Sequence, residues 1–166
     1  DAPVERYLEH LDRHGLSHGV LVQPSFLGTD NSFMLDALRR YPQRLRAVAV
    51  VDVEVSENQL DELAEAGVVG IRLNLIGKSL ANYCGPAWTA LFERLALRGW
   101  QVEIQRGIED VASIVPTLLA CGVNVVIDHF GLPAGGIDAG KPSHKAFLEL
   151  LGDERVWLKL SAAYRS

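Results

Sequence analysis

The chemically capable residues of this chain gather at the ends of apolar runs. "VVIDHFGLP", residues 125–133, is an aliphatic run that closes on Asp128 and His129 before Phe130-Gly131-Leu132-Pro133 stops any regular structure. Other runs close in the same way. Gln23 and Ser25 follow one, Asp52 ends another, Arg72 and Asn74 lie in "GIRLNL", Gln105 ends "QVEIQ", and Ser161, Tyr164 and Arg165 follow "VWLKL". This set holds two arginines, several neutral hydrogen-bonding side chains and one histidine. A guanidinium is a planar donor fork suited to carboxylate or phosphate. Two of them facing one pocket suit a small, multiply anionic organic substrate.

Each residue also has a plainer reading. Arg72 could pair with Glu103 inside the fold, Arg165 could be a solvated loop charge, and Asp52 could cap a turn rather than hold a metal. Glu103 and Lys159 read as a structural pair, and Trp88, Trp100 and Trp157 as packing residues. His10, His14 and His18 read as solvated, and His144, near a helix start, as exposed. No GxGxxG phosphate loop, GxSxG elbow or reactive-cysteine motif is present in the sequence.

Six strands must position these residues: Gly19–Gln23, Arg46–Asp52, Gly70–Leu75, Gln101–Gln105, Asn124–Asp128 and Arg155–Leu160. They begin every ~23 to 31 residues, with helical periodicity between them. Val4, Leu8 and Leu11 give a leading helix one apolar face, ended by Gly15. Ser56 and Gln59 form a capping box ahead of Leu60, Leu63 and Ala64, and Gly67 closes that helix. Trp88, Leu91, Phe92 and Leu95 mark another helix, closed by Gly99. Val111, Ile114, Val115, Leu118 and Leu119 mark the next, closed by Gly122, with Pro116 expected to kink it. Such alternation implies parallel strands covered by helices.

Polar residues at alternate strand positions favour a (β/α)8 barrel over an open sheet. Arg72 with Asn74, Glu103 with Gln105, and Lys159 with Ser161 each share one strand face opposite an aliphatic one. A barrel interior that turns polar towards its mouth accommodates them. Asp128 and His129 point opposite ways on this reading. His129, sharing parity with Val125 and Ile127, is expected inward, and Asp128 towards the helix layer. A complete barrel has eight strands and ~250 residues, so residues 1–166 are expected to form a single partial TIM-barrel domain of a longer polypeptide. Its unpaired edges would favour homo-oligomers.

The bulk properties narrow the function. With 166 residues and 48% hydrophobic content, one sizeable core can be buried. A net charge of −5 argues against a nucleic-acid partner. No apolar run nears the ~18 residues of a membrane span, and the first residues lack the pattern of a signal peptide. Cys84 and Cys121 have no zinc or redox spacing and read as free thiols. A soluble, acidic, cytoplasmic domain is expected.

"GVLVQPSFLGTDN", "RLRAVAVVD", "GIRLNL", "VVIDHFGLP" and "VWLKLSAAYR", in that order, resemble the amidohydrolase-related hydrolases of the amidohydrolase superfamily, and within it the 2-pyrone-4,6-dicarboxylate lactonase-like branch. The resemblance covers Val4 to Arg165. It implies a (β/α)8 barrel whose second to seventh strands are the six above, and hydrolysis of a cyclic ester or related small carboxylated compound in aromatic-compound catabolism. It casts His129 as the catalytic histidine and Arg72 and Arg165 as holders of substrate carboxylates, with Gln23 and Ser25 at the rim of the same pocket; Asn74 and Tyr164, read from the strand ends, are expected to bind substrate beside them. The family's first-strand His-x-His and eighth-strand aspartate, the general base, have no counterpart in this sequence. No cofactor is assigned from these residues, and one divalent metal such as zinc in the full-length protein stays open. So do a decarboxylase or hydratase on the same barrel, and a non-catalytic carboxylate-binding protein.

Overall fold

The computed structural model describes residues 3–165, and for Arg165 the backbone alone. Among these residues six α-helices and six strands alternate. Contacts within the chain divide it into one unit ending at Val69 and another beginning at Gly70.

The first unit opens with helix α1, Val4–Arg13, which buries Val4, Leu8 and Leu11 as their spacing demands. Strand β1, Gly19–Val22, pairs in parallel with β2, Leu45–Ala49. Helix α2, Ser32–Arg40, lies between them in sequence and buries Met34, Ala37 and Leu38. β2 stops three residues short of the expected Asp52 for a local reason. The Asn31 side chain accepts from Val50 N at 3.1 Å and donates to Val50 O at 2.9 Å, so an amide takes the place of a neighbouring strand. Asp52 is exposed, and its carbonyl accepts from Val55 N in a turn.

Helix α3, Glu57–Ala66, carries the capping box. Gln59 N donates to Ser56 Oγ at 3.3 Å, and Ser56 N donates back to Gln59 Oε1 at 3.0 Å. Leu60 and Leu63 are buried, whereas Ala64 is exposed. Gly67, at φ 103°, ends the helix in the left-handed conformation that glycine tolerates best.

The second unit is a run of parallel strands in sequence order: β3 (Val68–Asn74), which enters it at Gly70, β4 (Gln101–Gln105), β5 (Asn124–Ile127) and β6 (Val156–Leu158). Gly70 is required where β3 meets β4, because a Cβ there would stand 2.4 Å from the Gln101 carbonyl oxygen. Ile71, Val102, Ile104, Val125 and Ile127 are fully buried on one face. Helices α4 (Pro86–Leu97), α5 (Ile108–Ala120) and α6 (Pro142–Leu150) bury Leu91, Phe92, Leu95, Ile114, Leu118 and Phe147. Each such side chain contributes roughly 1.5–3 kcal/mol through removal from water. α5 continues as helix through Pro116.

Two packing expectations fail. Trp157 on β6 is 63% exposed rather than packed, and His144 is fully buried rather than exposed. His144 faces inward from the first turn of α6, where its Nδ1 accepts from Asp138 N at 2.9 Å and Nε2 stands 3.2 Å from Glu109 Oε1. That hydrogen bond holds the Glu109 carboxyl below its ordinary range. His10, His14 and His18 are exposed, Trp100 is buried and both cysteines are free, as expected. No described helix is long and apolar enough to cross a membrane.

Replacing Ser56 by Ala removes the acceptor for Gln59 N and should cost about 1 kcal/mol. Urea unfolding of the variant beside the wild type measures this, and an unchanged midpoint would show that the capping box is dispensable.

Candidate functional site

The polar face of the second unit is built by register. Arg72 lies opposite Glu103 across β3 and β4, and Glu103 opposite Val126 on β5. Two residues further along, the same face carries Gln105, Asp128 and Lys159. The ladder bonds Asp128 N to Ile104 O and Lys159 N to Ile127 O, each 2.9 Å, carry the register to that level.

These side chains converge. Arg72 Nε stands 3.4 Å from Glu103 Oε1, and its Nη2 stands 3.4 Å from Asp128 Oδ2. The same Nη2 donates to Gln105 Oε1. Lys159 Nζ lies 2.5 Å from Glu103 Oε2 and 3.1 Å from Asp128 Oδ1. Glu103 and Asp128 are each 1% exposed, Arg72 is 9% exposed, and Lys159 is the member with most access to solvent. Two cations thus balance two carboxylates, and both carboxylates are buried. Burial pushes the Glu103 carboxyl above its ordinary value, the Asp128 charge adds to the rise, and Lys159 and Arg72 oppose it.

The position of Asp128 corrects the parity expected from the sequence. Its carboxylate faces the charged cluster and not the helix layer. The cause is register: Val125 and Ile127 align with the aliphatic Val102 and Ile104, so Asp128 falls on the face of Glu103. A strand continued to His129 would have sent the imidazole towards the helices.

The strand does not continue. His129, Phe130, Gly131 and Leu132 have φ of 51°, 56°, 75° and 49°, a left-handed turn. Three of the four are not glycine, a conformation that costs about 1–2 kcal/mol per residue. Gly131 N donates to Asp128 O and Leu132 N to His129 O, both at 2.9 Å, and Phe130 N donates to Lys159 O at 3.1 Å. A Cβ on Gly131 would stand 3.0 Å from the Phe147 ring, so the third position is glycine for space as well as for φ. Out of this turn the half-buried His129 ring reaches Ser161, with Nδ1 3.0 Å from Oγ.

The remaining candidates are placed as follows. Asn74 is half-buried and its Oδ1 accepts from Ile76 N at 3.3 Å. Tyr164 is 84% exposed. The Arg165 side chain lies outside the described residues. In the first unit, Gln23 is buried and donates to the carbonyls of Asp30 (2.6 Å) and Gly28 (3.2 Å), holding the loop after β1, while Ser25 is exposed. From the sequence, Asp128 is expected towards the helix layer and Lys159 as a structural partner of Glu103; the signal that both belong to this cluster is their alignment with Gln105, two residues beyond Glu103.

The chain has the fold class of an incomplete (β/α)8 barrel with parallel strands. It belongs to the amidohydrolase family, whose profile matches residues 1–166. A curated relative, the 4-sulfomuconolactone hydrolase of Hydrogenophaga intermedia, is 30% identical over 99% of this chain and 55% of its own length. A solved structure from Acinetobacter baumannii, a probable 2-pyrone-4,6-dicarboxylic acid hydrolase with citric acid bound, is 40% identical with a TM-score of 0.92, over 99% of this chain and 62% of that one. The chain spans about half the length of the curated relatives it matches.

A more distant amidohydrolase from Burkholderia multivorans, 17% identical with a TM-score of 0.74 over 97% of this chain and 61% of that one, holds zinc and shares the fold. The residues described for this chain do not fit such an ion. No three His, Cys, Asp or Glu among them stand together. The buried oxygens Glu103 Oε1 and Oε2 and Asp128 Oδ1 lack well-formed hydrogen bonds, yet two of the three already face the Lys159 ammonium. A divalent cation placed there would meet Lys159 and Arg72 at close range.

The raised Glu103 carboxyl has a consequence for stability. A group whose folded value lies above its unfolded one stabilises the fold fully below the unfolded value, and that contribution is lost as pH rises through the folded value. The stability of wild type relative to Glu103→Gln should therefore be flat below the ordinary 4.5 and fall as pH rises through the raised value. Urea unfolding at a series of pH values checks this; a difference that rises with pH would mean that Lys159 and Arg72 outweigh burial.

Proposed function

We propose that the complete protein hydrolyses a small carboxylated lactone, in aromatic-compound catabolism, with His129 as a catalytic residue. The observation that carries this is the placement of the His129 imidazole. It is turned off the carboxyl end of a parallel strand, one residue after an aspartate held between Arg72 and Lys159. In parallel α/β folds this end of the strands is where chemistry collects. The names of the relatives, two hydrolases of carboxylated or sulfonated lactone-type rings, support the substrate class.

The chemistry is attack of water on the lactone carbonyl carbon: the new C–O bond forms, the ring C–O bond breaks, and one proton of the water ends on the departing ring oxygen, leaving an open hydroxy acid. Charge develops on the carbonyl oxygen during attack, and a positioned N–H of His129 stabilises it most at that moment. The Arg72–Glu103–Asp128–Lys159 cluster is formally neutral, and Lys159, its most accessible cation, is the member able to meet a carboxylated ring. Arg72 is already committed to Gln105, Asp128 and Glu103, so it acts on substrate as part of a network rather than as a free fork. Asn74, Tyr164 and Arg165 follow the same strand ends and are proposed as further substrate contacts.

Steady-state kinetics of the full-length protein on 2-pyrone-4,6-dicarboxylate and 4-sulfomuconolactone tests this. His129→Ala should lower kcat by at least about 10²-fold, the usual loss when an electrostatic or acid–base group is removed. Near wild-type turnover in that variant would take His129 out of the mechanism. Absence of lactone hydrolysis by the wild type would reject the substrate class.

A further inference from the structure

We propose that Ser161 is the positioning residue of His129. Its hydroxyl donates to Nδ1, keeps the proton of the neutral ring on Nε2, and so turns Nε2–H into the donor for the substrate's carbonyl oxygen. This rests on the catalytic role of His129 proposed above.

Two departures from ordinary backbone meet at this one hydrogen bond. The His129–Leu132 turn is left-handed throughout, and Ala162, directly after Ser161, also has a positive φ of 52°. Strained conformations persist only where the surroundings hold them, and they concentrate at functional sites. Here the holding contacts run between the same two segments: Phe130 N donates to Lys159 O at 3.1 Å, and Nδ1 meets Ser161 Oγ at 3.0 Å. Without the turn the imidazole would follow strand alternation towards the helix layer. Without Ser161 the ring would lose the partner that fixes its rotation.

The chemistry of the partner selects the tautomer. A neutral imidazole donates from one nitrogen and accepts at the other, and the bond made by one decides the role of its opposite. A carboxylate at Nδ1 would favour a protonated ring. The nearest carboxylate in sequence, Asp128, instead faces Arg72 and Lys159. A serine hydroxyl can donate to Nδ1 without drawing a charge onto the ring, which leaves Nε2–H for the developing oxyanion.

Nitrogen-15 NMR of the full-length protein, labelled at histidine, reads this directly, with the His129 signals assigned by their loss in His129→Gln. In the wild type at neutral pH, Nε2 should carry the proton and Nδ1 should show the shift of an unprotonated nitrogen. Ser161→Ala should mix the two tautomers and lower kcat for lactone hydrolysis by about tenfold with KM within about twofold, as expected for a misaimed group. Ser161→Thr, which keeps the hydroxyl, should restore both readings. A wild-type proton on Nδ1 would overturn the proposal even if Ser161→Ala failed to fold. So would a Ser161→Ala protein with unchanged tautomer and kcat. Full activity in His129→Ala would reject the catalytic reading of His129 and, with it, the purpose assigned to Nε2–H, while the tautomer measurement would still decide whether Ser161 sets the ring.

Discussion

The polar half of the second unit depends on one constraint: four charges from four parallel strands share one space, and three of them are buried. Arg72, Glu103, Asp128 and Lys159 balance in formal charge, and each carboxylate faces both cations. Removing charged groups from water costs several kcal/mol per ion, and mutual attraction offsets this only where the geometry is good. Deleting one member of such a set leaves an unpaired buried charge, a loss of about 3–5 kcal/mol. The cluster therefore restricts what any one member can do. Arg72 cannot turn fully to another partner without loosening its hold on Asp128. At Glu103 burial and the neighbouring Asp128 charge together raise the carboxyl, against the opposing pull of Lys159 and Arg72.

Much of this was legible in the residues. Strand positions followed from aliphatic runs, and shared polar parity along "GIRLNL", "QVEIQ" and "VWLKLS" revealed an inward polar face, because alternation acts within a single strand. The pairing of Glu103 with Lys159 and the capping box at Ser56 followed from equally local rules. The direction of Asp128 is not legible in its own strand, because it depends on register between strands and each strand alone allows either face. Comparing "QVEIQ" with "NVVID" by their aliphatic positions would have aligned Asp128 with Gln105. The burial of His144 is hidden from the sequence for a related reason. Its burial depends on α6 meeting Glu109 at the start of α5, a tertiary fact invisible to its own helix.

The left-handed turn was the least legible feature. Phe130-Gly131-Leu132-Pro133 announced a break in structure but not its hand, since only Gly131 has an intrinsic liking for positive φ. Three neighbours share the conformation because the turn is held from outside, by a backbone bond to Lys159 and by the Phe147 ring packed against Gly131. Lys159 thus serves both structures: its ammonium joins the charged cluster and its carbonyl anchors the turn that carries His129.

That double use links the charge balance to the aim of the imidazole. Asp128 is the last residue of ordinary strand geometry, fixed on one side by Ile104 O and through its carboxylate by Arg72 and Lys159. Its own carbonyl then accepts the bond from Gly131 N that closes the turn. The cluster and the turn consequently share a covalent joint at Asp128 and a second joint at Lys159. A change that shifts the Asp128 backbone moves the His129 ring relative to Ser161, even where no atom of the ring is touched. The adjacent acid and imidazole divide the work: the acid is spent on fixing the end of the strand, and the imidazole can leave the strand because that end is fixed.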